Sequence, residues 1–226
     1  TGLIVRAYIF GMFAIAVDIL WGYTGVLTFG HAAFFGTGAY IMAKALKIPF
    51  FAGDTYVGLL MAALIPGVAG LVVAGILFYR GISEAYFTII TLAVAVIAKQ
   101  VAISWQSVTG GFNGLTGVPP IRIGLPTVAT LELEGHALYY ATLVALVVIY
   151  LLARRLVSSP FGTTLVAIRE NEQKARALGY NIPKYKTVAF GVASGIAGFA
   201  GALYTGYAGL VSPNVIGFLL STQVLL

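Results

Sequence analysis

Two histidines, seven carboxylates and no cysteine are the whole stock of imidazole, acid and thiol groups in this 226-residue chain. His31 stands in a glycine-rich apolar stretch without Cys or carboxylate neighbours. That makes a poor metal site and suits a hydrogen-bonding core residue. His136 closes the polar turn LELEGH (131–136). Converging nucleophile, base and metal ligands are not legible, so neither catalysis nor a bound metal is expected. Nor is a nucleotide, because TGGFNGLTG (109–117) lacks the Gly-Lys-Ser/Thr that closes a phosphate loop. Asp18 stands inside an apolar run. An intramembrane carboxylate is costly and by default marks function, such as ion coupling. Alternatively it bonds free backbone groups at the glycine-rich break that follows, and we adopt this structural reading.

Most of the remaining charge lies together. The stretch ARRLVSSPFGTTLVAIRENEQKARALGYNIPKYK (153–186) holds seven of the thirteen basic residues: Arg154, Arg155, Arg169, Lys174, Arg176, Lys184 and Lys186. Its acids are Glu170 and Glu172, leaving a net +5 of the formal +6. Pro160 suits the first turn of a helix, with Ser158 or Ser159 as its cap, and Gly179 suits the left-handed position that ends one. Between them Leu165, Ile168, Ala175 and Leu178 fall close to one face. Glu170–Lys174 and Glu172–Arg176 are favourable i, i+4 pairs on the other. The pattern predicts an amphipathic helix over about 163–178, outside the bilayer. From the residues alone it has three readings: a charged loop that orients the protein, a helix lying on anionic lipid, or a docking site for a soluble partner.

The elements around it read as membrane. Hydrophobic residues make up 60% of the chain and charged ones 9%, with mean hydropathy +0.98; a soluble domain carries roughly 25% charged residues. At ~20 apolar residues per helix there is room for six or seven spans. The apolar runs are continuous rather than alternating, which excludes a sheet barrel and sets the fold class as all-α, a polytopic helical membrane protein. The basic balance does not point to nucleic acid, because it is one juxtamembrane cluster. We read residues 1–226 as a single transmembrane domain. Its last apolar run, GFLLSTQVLL, suggests a fragment lacking further C-terminal spans.

The first span is 3–21. In 22–43 the density of small residues, with Ala32 and Gly36 four apart, predicts a broken or re-entrant helix packed against others. Lys44 to Asp54 reads as a loop. Residues 56–79 form a span kinked at Pro66 and Gly67, RGISE (80–84) a tight turn, and 85–105 a span in which Lys99 snorkels or marks a break. Residues 107–126 read as an ordered loop and 137–152 as a span. In 187–211 the pairs Gly191/Gly195, Ser194/Gly198 and Ala197/Gly201 predict close helix packing. Ser212-Pro213-Asn214 ends it, and a last span follows. Basic loops face the cytoplasm, which puts 153–186 and the 80–84 turn inside and the 47–55 and 106–136 loops outside.

Several stretches together resemble the LivM-type permease of bacterial branched-chain amino acid ABC transporters (LivHM permease family). They are WGYTGVLTFGHAAFFGTGAY (21–40), TGGFNGLTGVPP (109–120), SPFGTTLVAIRENEQKARALGYNIPKYK (159–186), AGFAGALY (197–204) and VSP (211–213). Asp18 to Trp21 before GYTG also resembles the urea permease branch, which leaves urea and short-chain amides as alternative solutes. The resemblance implies an importer in the bacterial inner membrane. Its partners would be a second permease of LivH type, two cytoplasmic ATP-binding subunits, a periplasmic substrate-binding protein that delivers leucine, isoleucine or valine, and membrane lipid. ATP would reside on the partner subunits, with no cofactor bound by this chain.

It also implies that 153–186 is the cytoplasmic coupling loop. Leu165, Ile168, Ala175 and Leu178 would then supply the buried ATPase contact, Arg169, Glu170 and Glu172 its polar rim, and Gly179 its end. The translocation path would run along the glycine-rich stretch and its neighbours: Gly25, Gly30, His31, Phe34, Asn113 and Gly114. A path so poor in charge suits a small apolar or zwitterionic solute.

Overall fold

The computed structural model describes residues 2–47, 55–123, 131–132 and 135–217. The loop expected around Pro49 and Asp54, and the last span expected after residue 217, lie outside the described residues. Five described helices are long and apolar enough to cross a membrane. They are α1 (Gly2–Thr24), α3 (Thr55–Tyr79), α4 (Glu84–Ser104), α6 (Gly135–Val157) and α9 (Ile182–Ala208). A shorter helix, α2 (His31–Lys47), is almost wholly buried. The chain is an all-α, multi-pass membrane protein.

Between α1 and α2 the backbone is non-helical over residues 25–30. Gly25 opens this break with φ 75°, a conformation that costs a side-chain-bearing residue but not glycine. The helix is therefore broken as expected. α2 starts inside the bundle, where His31 packs beside Phe13 and Phe190, and ends where Lys47 bonds the Thr116 carbonyl. Neither Pro66 nor Lys99 stops its helix. Pro66 is buried, and Lys99 half-buried with its amine near Gly217.

The core is built on α9, whose small residues let three helices approach its backbone. A methyl group at Gly198 would meet the Ala62 carbonyl and Pro66 of α3. One at Gly38 would meet the Gly198 backbone, and one at Gly201 the Phe35 carbonyl of α2. Gly70 lies against Ser194, and Thr205 donates its hydroxyl to the Ala39 carbonyl at 2.9 Å. Dispersion between closely packed backbones holds membrane helices together, since lipid tails are as apolar as the side chains. Phe13, Phe35, Phe87 and Phe190 fill the remaining volume.

The two ends of the bundle are distinct. At one lie α7 (Pro160–Glu170), α8 (Glu172–Ala177) and the 80–84 turn. At the other, the 106–123 loop forms short α5 (Gln106–Thr109), a 3₁₀ turn over Gly111–Asn113 and strand β1 (Leu115–Thr116). Strands β2 (Arg122–Ile123) and β3 (Leu131–Glu132) pair antiparallel there. β1 pairs antiparallel with β4 (Leu210–Val211), just after α9, in the register Leu115↔Val211. Val118 N–H adds a bond to the Gly209 carbonyl at 3.0 Å. Val118 and Ile121 are buried and Phe112 is exposed, so this loop is ordered, as its interspersed apolar residues predict.

The Gly201→Val variant is expected to lose ~1–3 kcal/mol from overpacking against the α2 backbone. Gly75→Ala, whose methyl would meet Thr187 Cγ2 at an ordinary 3.7 Å, is expected to melt like the parent. Thermal unfolding in detergent, followed by loss of the monodisperse peak, checks both.

Candidate functional site

The charged segment folds as two helices rather than one over 163–178. Asn171 divides them. Its extended backbone (φ −158°, ψ 98°) ends α7, and its side-chain carbonyl accepts the Lys174 N–H at 2.8 Å to start α8. Pro160 occupies the first turn of α7 as expected. Ser159 holds the cap position, though its hydroxyl bonds back to the Leu156 carbonyl. Gly179, at φ 88°, closes α8 in the left-handed region.

The apolar stripe exists, but it faces this chain's own membrane helices. Leu165, Ile168 and Ala175 are 1%, 2% and 3% exposed. Leu165 belongs to the main core, while Ile168 and Ala175 pack with Ile182 and Tyr185 of α9. They are therefore not free for a partner. The break at Asn171 takes Leu178 out of that register, and it stands 79% exposed. The pair Glu172–Arg176 forms at 3.2 Å. Because the same break separates 170 from 174, Glu170 pairs with Arg169 instead, at 2.7 Å.

The strongest polar contact is one that sequence reasoning missed. Lys186, in the second turn of α9, is 4% exposed. Its ammonium donates to Glu84 Oε1 at 2.7 Å and Glu172 Oε2 at 3.0 Å, and lies 5.9 Å from the centre of the Phe78 ring. A buried charge must be paired to be tolerated, and two carboxylates from two different helices do this. The signal was present as charges at the edges of apolar runs, Glu84 opening α4 and Lys186 opening the small-residue helix. What paired them was not.

Arg169, at the end of α7, reaches the break between α1 and α2. Its guanidinium donates to the Gly22 carbonyl and its methylenes lie against Gly25. This corrects the reading of Asp18. The free groups at a helix C-terminus are carbonyls, which need a donor. A carboxylate only accepts, so an arginine satisfies them. Asp18 is exposed, lies over Gly22, and shares a cleft of about 260 Å³ with Tyr150 and Arg154. On the far side of the break, the Thr88 hydroxyl of α4 donates to the Leu27 carbonyl at 2.8 Å, and Gly30 packs on the Thr91 backbone. A second cleft of about 510 Å³ opens between the 80–84 turn and the Asn171 break, lined by Ser83, Glu84, Arg169, Asn171, Arg176 and Lys186.

The residues read as a translocation path do not gather round one opening. Gly25 and Gly30 are clamped by Arg169 and Thr91. His31 and Phe34 are buried among aromatics, with the imidazole centre 5.9 Å from Phe13, 5.6 Å from Phe34 and 5.6 Å from Phe190. His31 is a core residue whose imidazole lies within reach of the Ala193 backbone, short of strict hydrogen-bond geometry to any described residue. Asn113 is exposed and Gly114 packs on the Val211 carbonyl at the opposite end. Among the described residues no group of three His, Cys, Asp or Glu is placed to hold a metal ion.

Apolar helices wrapped on a small-residue centre, with a charged segment anchored at one end, define a multi-pass membrane protein. The chain belongs to the family described as the permease component of the branched-chain amino acid transport system, which it matches over residues 1–226. It is 28% identical to the high-affinity branched-chain amino acid transport system permease protein LivM of Escherichia coli (strain K12), over 96% of this chain and 55% of that protein. The LivM of Salmonella typhimurium (strain LT2) matches at 28%, with the same coverage of 96% and 55%. The probable branched-chain amino acid transport permease protein LivM of Methanocaldococcus jannaschii matches at 26%, over 88% of this chain and 65% of its own length. The chain thus spans little more than half the length of the first two relatives. No solved structure matches.

Burying a charge in the Ile168 pocket should unseat the segment. Ile168→Asp is expected to cost about 3 kcal/mol or more of local stability and expose residues 160–182 to protease. Leu178→Asp should leave the cleavage pattern unchanged. Limited proteolysis in detergent with mass-spectrometric mapping tests the pair.

Proposed function

We propose that the chain is the membrane-spanning permease subunit of an ABC importer for branched-chain amino acids. One observation carries this reading. The segment 153–186 is fastened inward by Leu165, Ile168, Ala175 and Lys186, and this leaves a projecting edge of Gln173, Arg176, Ala177, Leu178 and Tyr180 exposed. Such an edge, an exposed leucine and tyrosine beside a cation, suits a soluble partner that must push on the bundle. That partner is a pair of cytoplasmic ATP-binding subunits, which hold the ATP. Glu170 and Glu172 stay at the rim of the contact, whereas Leu165, Ile168 and Ala175 move from the contact to its foundation.

On this reading the segment faces the cytoplasm of a bacterial cell and the β1–β4 end faces a periplasmic substrate-binding protein. The Lys186–Glu84 bond supports placing the 80–84 turn and the segment at one end, and the Lys47–Thr116 bond supports placing the end of α2 and the 106–123 loop at the other. A second permease of the same family completes the path. This subunit moves the solute and hydrolyses nothing itself. The relatives are named for branched-chain amino acid transport, which favours leucine, isoleucine and valine as cargo. Urea and short amides are the alternative, resting on the Asp18–Trp21 resemblance.

Vesicles holding the full-length protein, its partner subunits and the binding protein should accumulate labelled leucine only with ATP inside the ATPase compartment. Unlabelled isoleucine and valine should compete. Urea uptake instead would transfer the cargo to the alternative, and uptake driven by a proton gradient without ATP would overturn the importer. Leu178→Asp is expected to weaken co-purification of the ATP-binding subunits about tenfold, as loss of a central apolar anchor does, with the melting temperature unchanged.

A further inference from the structure

We propose that the non-helical stretch 25–30 is the element that the projecting segment moves, held at its two ends by the two halves of that segment through separate routes. The inference rests on the coupling role proposed above and adds its transmission path. α7 holds the near end directly, with Arg169 on the Gly22 carbonyl and against Gly25. α8 holds the far end through three steps. Glu172 bonds Lys186 at 3.0 Å, and Lys186 bonds Glu84 at 2.7 Å. One turn further along α4, the Thr88 hydroxyl bonds the Leu27 carbonyl at 2.8 Å. The two halves meet at Asn171, where the backbone is extended, so the segment can bend there without breaking either helix.

Thr88 supplies the two-state element that such a route requires. Its single hydroxyl proton has two acceptors, the Leu27 carbonyl at 2.8 Å and the Glu84 carbonyl of its own helix at 3.0 Å. When α4 moves away from the break, the proton turns back to Glu84 and no donor is left unpaired, so releasing the contact gives up only the bond to the Leu27 carbonyl. Gly30 takes part by steric contact, since it has no side chain to keep it from the Thr91 carbonyl. Bending at Asn171 therefore shifts one end of the break against the other. Lys186 and Thr88 are positioning residues that never touch the solute.

The test uses the full-length protein assembled with its partners in vesicles, and reads solute taken up per ATP hydrolysed. Glu84→Ala cuts the route by removing the acceptor of the Lys186 ammonium while leaving Lys186 bonded to Glu172, and Thr88→Val cuts it at the break with nearly the same shape. Each is expected to keep the ATP-binding subunits bound and hydrolysing while uptake per ATP falls about tenfold, the usual size of a coupling between sites. The double variant should be no worse than either single one, and Thr88→Ser should restore the parent value. Unchanged uptake per ATP in both singles, multiplying losses in the double, or no rescue by serine would overturn the route. Loss of ATPase binding in either variant would also overturn it, by making these residues part of the dock. A parent protein that binds no ATPase would instead overturn the coupling role itself.

Discussion

Lys186 is the point on which the charged end of the molecule depends. Its ammonium sits almost out of reach of water, which would be prohibitive for a lone charge. Two carboxylates make the position tolerable, and they arrive from two helices that have no other polar reason to meet. The pairing therefore specifies an arrangement more than it adds stability. Glu84 ties the first residue of α4 to it, Glu172 the first residue of α8, and Phe78 lays its ring beside the cation at the end of α3. The apolar contacts of Ile168 and Ala175 seal the same junction from beneath.

Everything nearer the membrane centre follows a different rule. There the attraction comes from proximity of backbones, and the glycines of α2, α3 and α9 make that proximity possible. The result is one tightly packed unit of three helices with α1 against it. α6 packs along α1, where the Tyr8 and Tyr139 hydroxyls bond at 3.1 Å, and touches α9 only lightly, so an apolar groove of about 1030 Å³ runs between α3, α6 and α9, with Gly67, Gly191 and Gly195 along its floor. Rigid packing on one side and a loose flank on the other are compatible with a bundle that shifts as blocks.

Local pattern was legible in the sequence, and long-range pairing was not. The four-residue spacing of small side chains in 187–211 announces close packing because it is a property of one helix alone. The break after Thr24 shows in the same way, through Gly25 and its neighbours. Periodicity also found the stripe of Leu165, Ile168 and Ala175, but a stripe does not say whether its cover comes from the same chain or another. The Asn171 division was readable in principle, since asparagine caps helices. A favourable charge spacing on both sides of it argued for continuity. Glu84 and Lys186 are 102 positions apart, and nothing at either position names the other.

The small β1–β4 pairing has a consequence for motion. α9 is 27 residues long, about 40 Å at 1.5 Å per residue. Its far end is stitched to the 106–123 loop by the Leu115↔Val211 register and the Val118–Gly209 bond. Its near end carries Lys186. A rod pinned at one end and pulled at the other pivots rather than slides. A swing of about 5° would carry the Lys186 end some ~3–4 Å over that length, while the stitched end stays almost still. The β1–β4 end can then keep one shape while the opposite end changes.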